Sequence, residues 1–329
     1  LLKHVHKPSE DMLSREIEQA IKNLEIPDRP KSLYDPVRYT LRLGGKRIRP
    51  RLVLIGCGLA GGAPKEALPA AMAVELLHNF TLIHDDIMDG ATSRRGQPAV
   101  HTRWDESTAI LSGDVMFNLA YEQLQKYREA ALFAKLHPVF SEATRIVCEG
   151  QALDMEFESS LSVEIDDYIH MIECKTAALI RASLQMGGLA GGADDVFVSQ
   201  LGTLGLAAGT AFQIQDDLLD AIADPETFGK RPGGDIYEGK KTYLSILALQ
   251  RANGDLHGKL SGILQKTDAT QDEVDEVIAA YHELGVIEDT RAAIYKRYQS
   301  CHEVLDLLPE SSFKTALLEL IEMLKERRH

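Results

Sequence analysis

Two long runs that are almost free of charge each close on the same arrangement of aspartates, and this pairing limits what the chain can fold into. They span residues 69–89 and 196–223 and contain Asp85-Asp86-Ile-Met-Asp89 and Asp216-Asp217-Leu-Leu-Asp220. In the first, Met72, Val74, Leu76, Leu77, Phe80 and Ile83 fill most of a helical circumference, with Pro69 in the first turn and Gly90 just past the end. Such a helix has to be surrounded by other chain, so it is expected at the centre of a core. The second closes at Asp224-Pro225 and carries no charge from Val196 to Gln215. Its length could span a bilayer, but Ser199, Gln200, Thr203, Thr210, Gln213 and Gln215 make it a buried helix instead, so no transmembrane segment is expected.

The rest of the sequence follows the same period. Apolar residues recur at three- and four-residue intervals through 112–132, 140–157 and 163–186, while strand-like alternation is scarce. The expectation is an all-α protein. No linker rich in Gly, Pro or Ser divides its 329 residues, so they read as a single large helical domain whose last quarter, from Gly254, is amphipathic without chemical signal. Cys57, Cys148, Cys174 and Cys301 are widely spaced, which points away from a zinc site or a disulfide framework and toward a reducing compartment. The opening Leu-Leu-Lys-His-Val-His-Lys has no apolar signal core, and a cytoplasmic location is expected.

The aspartates carry the first chemical signal. Positions i and i+4 of a helix differ by only about 40° in azimuth, so Asp85 shares a face with Asp89, and Asp216 with Asp220. Three carboxylates near a helix C-terminus oppose the helix dipole, and a cation is the natural partner. All-oxygen donors favour Mg²⁺ or Mn²⁺ over zinc, with water and substrate phosphates completing the shell. A solitary copy of this pattern is readily a solvated helix end; two copies ending apolar helices are not.

The second signal is positive and equally local. A net charge of −14 argues against a nucleic-acid scaffold, yet no acidic residue occurs between Val37 and Pro64. Arg38, Arg42, Lys46, Arg47, Arg49 and Arg51 crowd around Gly44-Gly45, and Arg94-Arg95-Gly96 follows the first aspartate cluster. Paired glycines let backbone approach a ligand, and clustered guanidinium groups suit a multiply charged oxyanion such as diphosphate. Lys175-Thr176, Lys230 and Lys240-Lys241 add cations whose spacing alone proves nothing.

Taken in order, Leu-Gly-Gly-Lys-Arg-Ile-Arg-Pro (43–50), His-Asp-Asp-Ile-Met-Asp (84–89), Arg-Arg-Gly (94–96), Gly-Asp-Val-Met-Phe (113–117), Gly-Gln-Ala-Leu-Asp (150–154), Lys175-Thr176, Phe-Gln-Ile-Gln-Asp-Asp-Leu-Leu-Asp (212–220), Gly229-Lys230 and Gly234-Asp-Ile closely resemble the trans-isoprenyl diphosphate synthases. The match covers about residues 40–245 without departure in any motif. The resemblance implies the all-α isoprenoid synthase fold, a ring of helices around a central cavity, usually as a homodimer. It implies head-to-tail condensation of isopentenyl diphosphate with an allylic diphosphate: dimethylallyl, geranyl or farnesyl. By the same resemblance Asp85 and Asp89 take two Mg²⁺ ions and Asp216 a third, Mn²⁺ being a substitute, with Asp86, Asp217 and Asp220 in support. Arg94, Lys175 and Lys230 reach the allylic diphosphate. Lys46, Arg49, His78 and Arg95 hold isopentenyl diphosphate, Thr176 and Gln213 line the allylic carbon, and Gln151 and Asp154 stand behind them.

The basic pair of sites speaks against a terpene cyclase, which has no second diphosphate to hold, and intact aspartates speak against a non-catalytic partner subunit. His84 and Trp104 read as packing residues, and the basic end from Lys325 to His329 as a frayed terminus, with closure over the bound diphosphate, as in some family members, the alternative. Chain length is expected to follow depth along the first aspartate helix. Thr81, Phe80 and Leu77 lie about 6, 7.5 and 12 Å below Asp85. Phe80 is the first bulky side chain, and an aromatic there without a second at Thr81 resembles the short-chain geranylgeranyl pattern; farnesyl or longer products are the alternatives, and Met116 or Phe117 an alternative floor.

Overall fold

Caps and interruptions decide where the helices start and stop. The computed structural model describes residues 10–160, 162–222, 232–266 and 268–326. Helices α1 (Glu10–Lys22), α2 (Lys31–Arg42) and α3 (Ile48–Leu59) lead, through a 3₁₀ turn at Pro64–Ala67, into α4 (Leu68–Met88). As expected, α4 is enclosed, with Ala70, Val74, Leu76, Leu77 and Ile83 all buried, and it packs against α3 and α6 (Glu106–Leu124).

Three boundaries differ from the sequence expectation. Helix α6 starts at 106 rather than 112, because the Asp105 side chain accepts from Thr108 N at 2.8 Å and caps it. It stops at 124 rather than 132: Tyr127 spends its hydroxyl on the start of α4, donating to Glu66 O (3.0 Å) and accepting from Ala70 N (3.3 Å). Helix α7 (Ala130–Ser159) therefore begins before the expected 140 and carries Pro138 inside it. The run 163–186 is not one regular helix but α8 (Ile165–Ile172), a π-helical turn at Glu173–Ala177, and α9 (Ala178–Ala190). Helix α10 (Asp195–Ile222) matches the second apolar run.

Among the described residues the strands are confined to a hairpin, β1 (Ser93–Arg94) with β2 (Gln97–Pro98), followed by the short α5 (Val100–Arg103). Arg95 and Gly96 turn the hairpin with φ of 55° and 72°, the left-handed pair that a two-residue turn needs. The later helices include Gly234–Tyr237, Tyr243–Arg251, Gly254–Leu264, Gln271–Glu283, Val286–Leu307 and Ser312–Lys325. Among the described residues no helix is long and apolar enough to cross a membrane.

The described residues form two compact units, the first lying within residues 1–144, 182–202 and 308–317, the second within 145–181, 203–307 and 318–329. The core of the first is built on α4 with Leu54, Ile55, Met116, Leu124 and Phe140. The second buries Tyr168, Leu218, Ile236, Leu244, Val277, Tyr281 and Tyr298.

Candidate active site

The expected site residues fall into two groups, one in each unit.

In the first unit the glycine loop and the hairpin fit together. Gly45 has φ 129°, and a Cβ there would stand 2.8 Å from the Arg95 guanidinium carbon, so only glycine lets that arginine lie across the loop. Arg95 also donates to Gly44 O. The basic patch then divides by role. Arg47, itself left-handed at φ 47°, turns inward and donates to Glu75 Oε1 (2.6 Å), Glu18 Oε1 (3.0 Å) and Leu41 O (2.7 Å). Arg38 is spent on Ile26 O, Pro27 O, Asp28 and Asp35. These two arginines brace structure, which corrects the reading of the whole patch as an anion site.

Arg49 is different. Its Nη1 lies 3.2 Å from His78 Nε2, and its Nε is buried without a hydrogen-bond partner. Burial draws its pKa down to about 10 against the opposing pull of Glu75, and Arg95 draws it down further. Burial, then Arg49, Arg95, Arg94 and Arg47, hold His78 well below the ordinary histidine range, so it is neutral and accepts from Arg49. Lys46 is exposed beside them. One turn after Glu75, Asn79 spends both amide hydrogens on that residue, leaving its buried Oδ1 without a partner, and it lines one small cavity with Arg94 and Arg95.

The first aspartates separate in the same way. Asp86 is buried, and Arg94 on β1 grips its Oδ1 through two nitrogens, Nε at 2.8 Å. Burial raises the Asp86 carboxyl although Arg94 opposes it; for Arg94 burial works downward, but the Asp86 bond wins and its pKa rises. Asp85 remains partly exposed, 3.8 Å from Arg94, and Asp89 is exposed. Below them the Phe80 ring meets His84 edge-on (4.8 Å) and lies tilted against Phe117 (5.4 Å), and Phe117 continues edge-on to Tyr121 (5.1 Å). Thr81 returns its hydroxyl to His78 O, Leu77 is fully buried, and Trp104 packs on Tyr39 as expected of a packing residue.

In the second unit the π turn carries Lys175 and Thr176. A Cβ at Gly150 would lie 2.2 Å from Lys175 N, so this glycine lets α7 approach the turn closely. Lys175 Nζ then reaches Asp154 Oδ2 at 2.5 Å, while Gln151 Nε2 is buried without a partner. Thr176 Oγ1 donates to Gln213 Oε1 (2.8 Å), Gln213 Nε2 to Asp217 Oδ1 (2.9 Å), and Tyr168 Oη to Asp217 Oδ2 (2.5 Å). Burial, reinforced by Asp216 and Asp220, raises the Asp217 carboxyl to about 7 against the hydrogen bonds of Tyr168 and Gln213. Asp220 Oδ2 accepts from Asp235 N at 2.9 Å, and Asp216 is partly exposed. Lys241 is buried and donates to Gly239 O and Leu264 O, a structural use. Lys230 and residues 327–329 of the basic end lie outside the described residues.

Sequence reading missed Tyr168, Glu75, Asn79, the π turn and the hairpin. Each is an ordinary residue type or a backbone shape, and none stands out by composition.

The first group thus sets the partly exposed Asp85 3.8 Å from a cation already paired to Asp86 and adds a part-buried arginine beside a neutral histidine, while the second pairs Lys175 to Asp154. The sequence pattern of the polyprenyl synthetase family matches residues 30–281. The chain belongs to that family. The polyprenyl synthetase relatives include the geranylgeranyl diphosphate synthase of Methanosarcina mazei, 38% identical over 96% of this chain and 96% of that protein. The geranylfarnesyl diphosphate synthase of Natronomonas pharaonis is 35% identical, again over 96% of each chain. The crystal structure of geranylgeranyl pyrophosphate synthetase from Pyrococcus horikoshii superposes with a TM-score of 0.92 at 36% identity, covering 98% of each chain.

Proposed function

We propose that this polyprenyl synthetase condenses isopentenyl diphosphate with an allylic diphosphate to give an all-trans prenyl diphosphate, with geranylgeranyl diphosphate as the main product. The observation that carries the reading is Arg49. A part-buried guanidinium whose Nε has no hydrogen-bond partner, set beside a neutral histidine and with Glu75 already bonded to Arg47, is short of negative charge, and an isopentenyl diphosphate held by Arg49, His78, Arg95 and Lys46 supplies it.

Arg94 and Lys175, pre-aimed by Asp86 and Asp154, serve the allylic diphosphate, together with Lys230. Thr176 and Gln213 hold oxygen dipoles near the carbon where positive charge develops. The donor set fits Mg²⁺. Asp86 and Asp217 are buried and held by protein donors, whereas the more exposed Asp85, Asp89 and Asp216 would be the ligands, with Asp220 in support; among the described residues no three acids, histidines or cysteines are grouped so as to hold a metal by themselves. Mg²⁺ suits such a set because it binds through one or two carboxylates plus phosphate oxygens and water, and it supplies charge neutralisation of the diphosphate leaving group. No side-chain nucleophile is required, and the last proton can pass to the released diphosphate.

The Phe80–Phe117 stack supports a shallow floor and hence a short product; a longer product is the alternative if the stack yields. The whole chain working as one domain within a cytoplasmic homodimer completes the reading, supported by the family resemblance. The test is incubation of purified protein with Mg²⁺, labelled isopentenyl diphosphate and each allylic primer in turn, with products sized by chromatography. A twenty-carbon product is expected. No incorporation with any primer would overturn the reading.

A further inference from the structure

We propose that Tyr168 is a positioning residue for the second aspartate cluster: its hydroxyl fixes Asp217, and through Asp217 the direction in which Asp216 presents its carboxylate. The inference rests on the function proposed above and deepens it.

Tyr168 is 1% exposed, and its hydroxyl is 2.5 Å from Asp217 Oδ2. The other oxygen, Oδ1, accepts from Gln213, so both carboxylate oxygens of Asp217 are held by protein. Gln213 in turn accepts from Thr176. Tyr168 and Thr176 lie on one continuous stretch, α8 and its π turn, while Gln213 and Asp217 lie one helical turn apart on α10. The hydrogen bonds therefore close a ring that fastens α10 at two points, to α8 through Tyr168 and to the Lys-Thr turn through Thr176. Asp216 sits one residue, about 100°, around the helix from Asp217, so any rotation of α10 that Asp217 permits swings Asp216 as well. The same ring commits the Gln213 amide: with its nitrogen on a carboxylate, its oxygen must face Thr176. Core packing alone needs only the ring of Tyr168, which meets Tyr243 edge-on at 6.1 Å; the hydroxyl is what the aspartate uses.

Tyr168→Phe in the full chain keeps the ring and deletes the hydroxyl. Mg²⁺ is titrated calorimetrically into wild type and variant in the presence of inorganic diphosphate, beside thermal unfolding and the Michaelis constant for isopentenyl diphosphate. The variant is expected to bind Mg²⁺ with diphosphate about tenfold more weakly, corresponding to about 1.4 kcal/mol, with the isopentenyl diphosphate constant within about twofold. In an Asp217→Ala background, which leaves Tyr168 no acceptor at 217, Tyr168→Phe should add nothing further, which separates action through Asp217 from general loosening of the fold. Undiminished Mg²⁺ binding by Tyr168→Phe, or an equal loss in the Asp217→Ala background, would overturn the proposal while leaving the function intact. A wild-type protein that takes up no Mg²⁺ with diphosphate would overturn the functional reading, and this inference with it.

Discussion

The two aspartate clusters share a spacing but are locked by opposite chemistry. In both, the middle aspartate is buried and serves as the anchor, leaving the flanking carboxylates more open. Asp86 is anchored by a cation, Arg94, whereas Asp217 is anchored by two neutral donors, Tyr168 and Gln213. The first cluster is thus tied into a charge pair that also aims an arginine. The second keeps an uncompensated carboxyl whose pKa burial lifts to about 7. A repeated sequence pattern therefore fixes which residues point outward, but says nothing about how the inward residue is satisfied.

The largest expected effects test what the clusters have in common. Asp85→Ala and Asp216→Ala should each lower prenyl transfer at least about 100-fold, since each removes a ligand for charge that develops at the leaving group. Thermal unfolding of the unliganded protein should be unchanged or slightly raised, because like charges at a helix end are relieved. Steady-state rates that fall for only one of the two variants would end the equivalence of the clusters.

The anchors should separate by stability. Asp86→Asn removes the nearer of two counter-charges of the partly buried Arg94, leaving Asp85 at 3.8 Å, and is expected to cost about 2 kcal/mol, discounted from a fully buried pair because the Arg94 side chain is 32% exposed. Asp217→Asn keeps an acceptor for Tyr168 and removes a buried charge, so a change within about 1 kcal/mol is expected. Urea unfolding of the two variants at neutral pH measures the contrast, and equal losses would break it.

A pH series sharpens the picture for the first unit, where crowded cations and burial hold His78 below its ordinary value. The unfolded chain takes up a proton near pH 6.5 that folded His78 refuses, so this contribution is complete above that pH and is lost as pH falls below it. The slope attributable to the residue is at most about 1.4 kcal/mol per pH unit, and His78→Asn should flatten the stability profile below pH 6.5 by that amount. A profile unchanged by the substitution would mean that the histidine is charged. The smallest expected effect is on product: Phe80→Ala should add at least one five-carbon unit while condensation continues. An unchanged product from a folded, active variant would move the floor from Phe80 to Phe117 or beyond.

Much of the fold was legible because the apolar period in α4 and α10 is long and nearly uninterrupted. The boundaries at 124 and 130 were not, since they depend on Tyr127 reaching the start of α4, a contact across the fold that no local pattern encodes. The same holds for the site. Asp85, Asp89 and Asp216 announce themselves by ending nearly uncharged runs and Arg49 by its place in a basic cluster, whereas Lys175 stands out only through the family resemblance. Arg47 carries the same charge but is withdrawn by Glu75, far along the chain, and Tyr168 is one of ten tyrosines until the hydroxyl is seen on Asp217.

The π turn at Glu173–Ala177 acts as a phase shifter. An α-helix advances each side chain by about 100°, and the wider turn inserts a residue without breaking the rod, so side chains before the turn are rotated relative to those after it. Tyr168 and Thr176 reach two successive turns of the same neighbouring helix only in that phase. Deleting a single residue between them should cost more than almost any substitution in the second unit, because the shortened helix could satisfy either contact but not both. Insertions and deletions in relatives should therefore avoid this stretch even where its individual side chains vary.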